Sequence, residues 1–328
     1  MPVALAAGAA PAAPGAPAPQ LVLALPGVPP AFLGVRAYVA AERGFYRRSL
    51  GRRATLRIAD YDSGLDALRA VESGQADLAW VPTASVVAAV ARGAPLVAIE
   101  GMDRSDWEIG STDPAVAACA DLRGQTVGVD AAGGAGYDAL VAMLAACGLR
   151  PGDVHVEVFP GDTGMNAQIA GQLAVAVEQF DQVAQVEAMG RPVTVVERLA
   201  AADPGQHYAL LVTTRPALAR ERALLVAVLE ADAAATRWLA APAHLAAAAA
   251  IAEITGETGP VAAAAIRHYL AIGWWNSSTA GLDPARLART IALGLQLGLL
   301  PPSARTLTPE AFTDPTLWQA AVSFGRRA

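Results

Sequence analysis

Two stretches of this chain repeat one local grammar, and that repetition constrains the fold more than any other feature. The first is Ala67-Leu68-Arg69-Ala70-Val71-Glu72-Ser73-Gly74-Gln75-Ala76-Asp77-Leu78-Ala79-Trp80. The second is Asp121-Leu122-Arg123-Gly124-Gln125-Thr126-Val127-Gly128-Val129-Asp130, continuing into Ala131-Ala132-Gly133-Gly134-Ala135-Gly136-Tyr137. Each carries a helix or turn into a short apolar strand, with small or polar residues after it. Open α/β sheets bind ligands outside the C-terminal ends of their strands. Two such ends in one chain predict two lobes facing one cleft.

The pattern extends in both directions. Strands are expected at residues 21–25, 55–59, 77–81 and 96–99. Between them lie helical patterns at 32–43 and 65–73, each stopped by glycine, and a third after Thr83-Ala84-Ser85, which should cap it. A second series starts near Trp107, with strands at 127–129, 154–159, 175–178 and 193–196 and helices at 137–147, 164–170 and 182–189. A strand at 208–213 should return to the first lobe. Helices are expected at 217–240, 242–255, 261–272, 284–299 and 309–324. Such alternation predicts a mostly parallel sheet in an α/β fold. Lobe one would comprise residues 21–107 and 210–328, and lobe two residues 108–209. The two crossings, near 107–111 and 206–212, would form a hinge.

Composition removes several function classes. Hydrophobic residues make up 54%, but no uncharged run reaches the ~18–20 apolar residues needed to span a bilayer without proline breaking it. Residues 1–20 are almost wholly Ala, Pro and Gly, and read as a disordered leader remnant or linker. The alternative is the intact start of a cytoplasmic protein. All 24 Lys-or-Arg positions are Arg, which excludes a Schiff-base or P-loop lysine. The net charge of -6 argues against a nucleic-acid partner. His155, His207, His244 and His268 are scattered, and Cys119 and Cys147 match no zinc spacing, so no metal or cofactor is expected. The two cysteines read as buried free thiols; an oxidising compartment would permit a disulfide. Gly161-Asp162-Thr163-Gly164 has the look of an aspartic-protease signature but has no second copy, and reads as a turn.

Several ordered motifs carry a resemblance. A helix ends in Gly44-Phe45-Tyr46; Gly74-Gln75-Ala76-Asp77 precedes a strand; Asp121-Leu122-Arg123-Gly124 leads into Val127-Gly128-Val129; and a Gly-rich turn and helix run from Gly133 to Gly148-Leu149. In this order the chain resembles the solute-binding proteins of ABC transporters, of the nitrate/sulfonate/taurine/thiamine-precursor type. The resemblance covers residues 21–240. It implies a two-lobed periplasmic-binding-protein type II fold with a mostly helical C-terminal extension. It also implies a periplasmic or extracytoplasmic location, a small-molecule solute, ABC permease subunits as partners and no catalytic residues. A monomer is expected. Residues 171–181 lack the early Asp and the Pro that the family often carries there.

Candidate ligand contacts follow from strand ends in both lobes. They are Phe32; Asp60, Tyr61 and Asp62; Trp80, Pro82, Thr83 and Ser85; Glu100 and Asp103; Asp130; Gly133, Gly134, Ala135, Gly136 and Tyr137; and Glu178. Taken singly, each is more often a turn, cap or packing residue. The glycine-rich turn before a helix could hold an anion on free backbone N–H groups. The acidic bias of these loops works against an unpaired anion and favours a neutral or amine-bearing solute held by aromatic faces. Sulfonates, aromatic or heterocyclic compounds and pyrimidine-type precursors remain the solute classes. An enzyme acting on pyrimidine precursors, or a ligand sensor, are the rival readings.

Overall fold

The computed structural model describes residues 18–275 and 279–324. Most of the segment read as leader or linker, and Asn276, lie outside the described residues. Among the described residues ten strands form two five-stranded sheets. In the first, β1 (Gln20–Pro26), β2 (Thr55–Tyr61), β3 (Leu78–Pro82) and β4 (Leu96–Met102) are joined by a late strand, β10 (Ala209–Thr214). In the second, β5 (Glu108–Ser111), β6 (Thr126–Val129), β7 (His155–Val158), β8 (Val175–Glu178) and β9 (Thr194–Arg198) follow in sequence.

The two sheets share one topology. The spatial orders are β2-β1-β3-β10-β4 and β7-β6-β8-β5-β9. In each, the second strand pairs parallel with its two neighbours. In each, the fourth place is taken by a strand that runs antiparallel to both neighbours. These antiparallel strands, β5 and β10, are the ones that arrive from the other sheet. Each sheet is therefore mostly parallel, as expected, with one strand reversed, because a strand entering from the opposite lobe enters head-on.

Helices cover the sheets as amphipathic patterning dictates. The helix Gly64–Glu72 is capped by Ser63, whose Oγ accepts from the Asp66 N–H at 3.2 Å. Its apolar face, Ala67, Leu68, Ala70 and Val71, is buried on the first sheet. A short helix that the sequence reading passed over, Phe45–Leu50, packs with Val35–Glu42 against the long helix Arg215–Leu239. Pairing in this layer centres on Arg36, which lies 2.5 Å from Glu100 and 3.8 Å from Asp232; the Tyr46 hydroxyl donates to Asp232 at 2.7 Å.

The C-terminal region is helical but more broken than its pattern implies. The expected helix at 242–255 is a 3-10 turn, the helix Leu245–Ala252 and a second 3-10 turn. The expected helix at 309–324 is interrupted before Thr316, where Pro315 cannot donate an N–H. The helix Gly259–Ala271 leaves the first lobe's side and packs on Phe180–Ala188 of the second. Among the described residues no helix is long and apolar enough to cross a membrane. Cys119 and Cys147 are joined in a disulfide, Cα atoms 5.5 Å apart, which corrects the free-thiol reading. The 3-10 turn Cys119–Leu122 and the last turn of Ala135–Ala146 bring them together, a proximity that a separation of 28 residues conceals.

Candidate functional site

The C-terminal ends of both sheets face a single cleft of about 740 Å³, counted out to its open mouth. From the first lobe come Pro26, Phe32, Asp62, Ser63, Trp80 and Pro82. From the second come Asp130, Ala135, Gly161, Asp162, Gln179, Asp181 and Gln182. Trp107 and Tyr208 enter from the two crossings, and Glu257 from the helical tail. Among the described residues no Arg, Lys or His lines the cleft.

The first lobe's wall is apolar for a local reason. Strand β3 ends in Trp80-Val81-Pro82, and proline closes it where no further ladder N–H is needed. Trp80 is 2% exposed and has the Arg36 guanidinium 5.4 Å from its ring centroid, on a side that does not line the cleft. Phe32 packs with Tyr269 and Trp275, its ring centroid 5.3 and 6.2 Å from theirs. Tyr208 stacks on Trp274 at 5.4 Å and meets Trp107 edge-on at 6.4 Å.

The second lobe's wall is acidic. The Asp162 Oδ1 accepts from Gln182 Nε2 at 3.1 Å. Asp181 accepts from the Tyr269 hydroxyl, and Glu257 accepts from Thr255 Oγ1. Burial pushes the Asp130 and Asp162 carboxyls up to about 6 and Glu257 up to about 7. Asp181 is raised well above the carboxylate range by burial and then by the neighbouring Glu257. Glu178 sits behind this wall, in a small recess that shares Trp107, Asp130, Gly161 and Gln182 with the cleft. It is 2% exposed, and neither carboxylate oxygen has a hydrogen-bond partner. Burial, then Asp162 and Glu108, raises it to about 8.

The structure brings Phe32, Asp62, Trp80, Pro82, Asp130 and Ala135 to the cleft, with Glu178 adjoining. The other candidates stand elsewhere. Strand β2 runs two residues past its expected end, so Asp60 and Tyr61 lie within it, and both Asp60 oxygens accept from Tyr38 at 2.7 and 2.6 Å. Strand β4 runs three residues past its expected end, which buries Glu100 as the partner of Arg36. Thr83 is not a cap; the helix Thr83–Ala91 has no side-chain cap, and Thr83 Oγ1 lies 2.8 Å from His207 Nδ1. Asp103 offers its carbonyl to Arg286 at 3.1 Å. Ser85, Gly133 and Tyr137 line a separate cavity between the helices Thr83–Ala91 and Ala135–Ala146.

The glycine-rich turn behaves differently from its anion-binding reading. Gly136 N–H donates to Asp130 Oδ1 at 3.0 Å, across the start of the helix Ala135–Ala146. A side chain at Gly136 would meet that carboxylate at 2.5 Å, and Gly133 holds a φ of +71°. The turn thus seats an internal carboxylate, and an incoming anion would have to displace it. Gly134 caps the same turn with extended backbone and does not line the cleft.

Asp162, Gln179, Asp181, Gln182, Tyr208 and Glu257 were absent from the sequence candidates. The strand-end rule, carried past β7 and β8 as it was past β6, reaches Asp162, Gln179 and Asp181. Glu257 follows no strand, and only the packing of the tail brings it in.

Comparison with solved structures places the whole chain. It is similar to the alkanesulfonate-binding protein SsuA of Xanthomonas axonopodis pv. citri bound to MOPS, at 15% identity and a TM-score of 0.74, covering 92% of this chain and 99% of that one. It is similar to the periplasmic aliphatic sulphonate binding protein SsuA of Escherichia coli, at 18% identity and a TM-score of 0.67, covering 87% and 89%. It is similar to the periplasmic nitrate-binding protein NrtA of Synechocystis PCC 6803, at 15% identity and a TM-score of 0.73, covering 94% and 89%. At these identities the likeness is one of fold, the periplasmic-binding-protein fold. No curated protein sequence matches the chain. The model of the family described as NMT1/THI5 like matches residues 33–244, and the chain belongs to that family.

Proposed function

We propose that this chain is the extracytoplasmic solute receptor of an ABC importer, and that it holds a small organic solute between its two lobes. The observation that carries the reading is the single cleft into which both sheets direct their strand ends. Lobe one is read as residues 21–107 and 210–328, lobe two as 108–209, with the crossings on either side of β5 and β10 as the hinge. The closed form would be presented to the permease by a monomer. The structural neighbours are named for binding small solutes, an alkanesulfonate and nitrate, which supports a small solute here and leaves its charge to the lining.

Among the described residues the cleft lining offers no thiol or imidazole, and the disulfide holds both cysteines. Thermal unfolding against a panel of amines, sulfonates, nitrate, aromatic carboxylates, pyrimidine precursors and flavins tests the reading. A solute at about 100 times its Kd adds about 2.7 kcal/mol to stability. A receptor raises the melting temperature and returns the solute chemically unchanged. Consumption of the solute would contradict the reading.

A further inference from the structure

We propose that the solute is an organic cation: a protonated amine carried on a flat apolar body, with the amine directed at lobe two. This rests on the receptor reading and names its solute class.

The cleft is electrostatically one-sided. Asp130, Asp162 and Asp181 line it from lobe two, Glu257 from the tail and Asp62 from lobe one, with no basic residue among them. Arg36, whose guanidinium lies over the Trp80 ring, pairs with Glu100, and Arg198 pairs with Glu108 at 3.1 Å. Carboxylates gathered in a partly desolvated cavity repel one another unless a proton or a cation joins them.

A second feature points the same way. Glu178 is almost fully buried at the end of β8, both of its oxygens lack a partner, and the recess it lines shares Trp107, Asp130, Gly161 and Gln182 with the cleft. A buried carboxylate without a donor is costly, and an ammonium group supplies three donors. The backbone donors that would suit an anion, at the start of Ala135–Ala146, are already turned to Asp130.

The spacing favours an organic cation over a bare metal ion. Among the described residues, only Cys119, Cys147 and Glu197 bring three ligand atoms within 4.8 Å of one another, and they do not line the cleft. Asp181 and Glu257 lie beside each other, but among the described residues no third ligand atom joins them within that distance. Trp80, Phe32, Trp107 and Tyr208 put aromatic rings in the lining, and such rings attract both flat apolar bodies and cations.

Matched probes test this on the full chain. 2-Phenylethylamine and tyramine are titrated calorimetrically beside 2-phenylethanesulfonate and phenylacetate, at pH 8 and low salt. The proposal expects binding by the amines and at least 100-fold weaker binding by the anions. It expects Asp181→Asn and Glu178→Gln each to weaken amine binding at least tenfold. Both substitutions keep the side chain's size and shape, so unliganded melting temperatures close to the parent's show that the variants fold. Asp153→Asn, on an exposed ion pair with Arg123 outside the cleft lining, should bind as the parent does. Amine binding unaffected by both cleft variants overturns the proposal. Binding of the sulfonate in preference to the amine overturns it too, while leaving the receptor reading intact. Silence of every probe, with no small molecule carried by the purified protein in native mass spectrometry, overturns both.

Discussion

The two lobes are built alike and finished differently. Each has five strands in the same order, with the fourth strand arriving antiparallel from the other lobe. Equivalent strand ends carry opposite chemistry. Strand β3 ends in Trp80 and Pro82, while its counterpart β8 ends in an unpartnered Glu178 and leads to Gln179 and Asp181. Strand β1 ends at Pro26, while its counterpart β6 leads to Asp130. Topology decides where residues meet, and the strand-end residues decide what they meet. A cleft with one apolar wall and one acidic wall suits a solute with the complementary two ends.

Two buried glutamates make the contrast measurable. Glu100 of the first lobe has one oxygen paired with Arg36, whereas neither oxygen of Glu178 in the second has a partner. The largest expected effect is from Glu100→Ala. It leaves the buried Arg36 guanidinium without its nearest counter-charge and should cost about 3–5 kcal/mol of unfolding free energy in denaturant titration. A loss under ~1 kcal/mol would mean that Asp232 alone suffices and that the first lobe does not depend on this pair.

The next effect concerns the second lobe alone. Its disulfide closes a loop with a sequence separation of 28 residues, for which chain entropy gives about 3–4 kcal/mol. Cys119→Ser with Cys147→Ser should lower stability by about that amount, and a reductant should lower the parent's melting temperature but not the double variant's.

The acidic wall also sets a pH dependence. Asp130 and Asp162 titrate at about 6 against an ordinary 3.8, Glu257 at about 7 and Glu178 at about 8 against 4.5, because burial disfavours their charged forms. A carboxyl with a raised folded pKa holds its proton more tightly folded than unfolded. Its stabilising contribution is complete below the unfolded value and is lost as pH rises through the folded one. The unliganded protein should therefore melt at progressively lower temperature from pH 5 to pH 8.5, and a saturating amine should restore part of the loss. A flat profile over that range would contradict the buried acidic wall.

The smallest effect has the opposite sign to the first. Glu178→Gln should raise the stability of the unliganded protein at pH 8.5, by about 1 kcal/mol, since it removes a buried charge without a partner. Measured beside Glu100→Ala, it either confirms that the lobes differ in how they hold their buried acids or removes the distinction.

The alternation of elements was legible because local signals agree with the fold. Gly44, Gly74, Gly148 and Gly190 each hold positive φ values of 70°, 75°, 68° and 84° where helices were expected to stop. The errors fell where tertiary partners decide. The residues Asp60 and Glu100 were read as loop carboxylates, because nothing local says that pairing carries β2 and β4 onward or that Tyr38 and Arg36 wait for them. The sense of β5 and β10 depends on which lobe each comes from, which no local pattern records. The acidic wall was half legible. Asp130 and Glu178 follow from the strand-end rule, Asp162 was set aside with its turn, and Glu257 needs the long-range docking of Gly259–Ala271 onto the second lobe.

The most direct test of this account is a crystal structure with the tightest-binding amine. The account predicts its ring against Trp80 of the first lobe and its ammonium within about 3 Å of Asp181 or Glu178, the normal range for such a hydrogen bond. Asp130 should stay on the Gly136 N–H. A solute whose acidic group occupies the start of Ala135–Ala146, with Asp130 displaced, would contradict it.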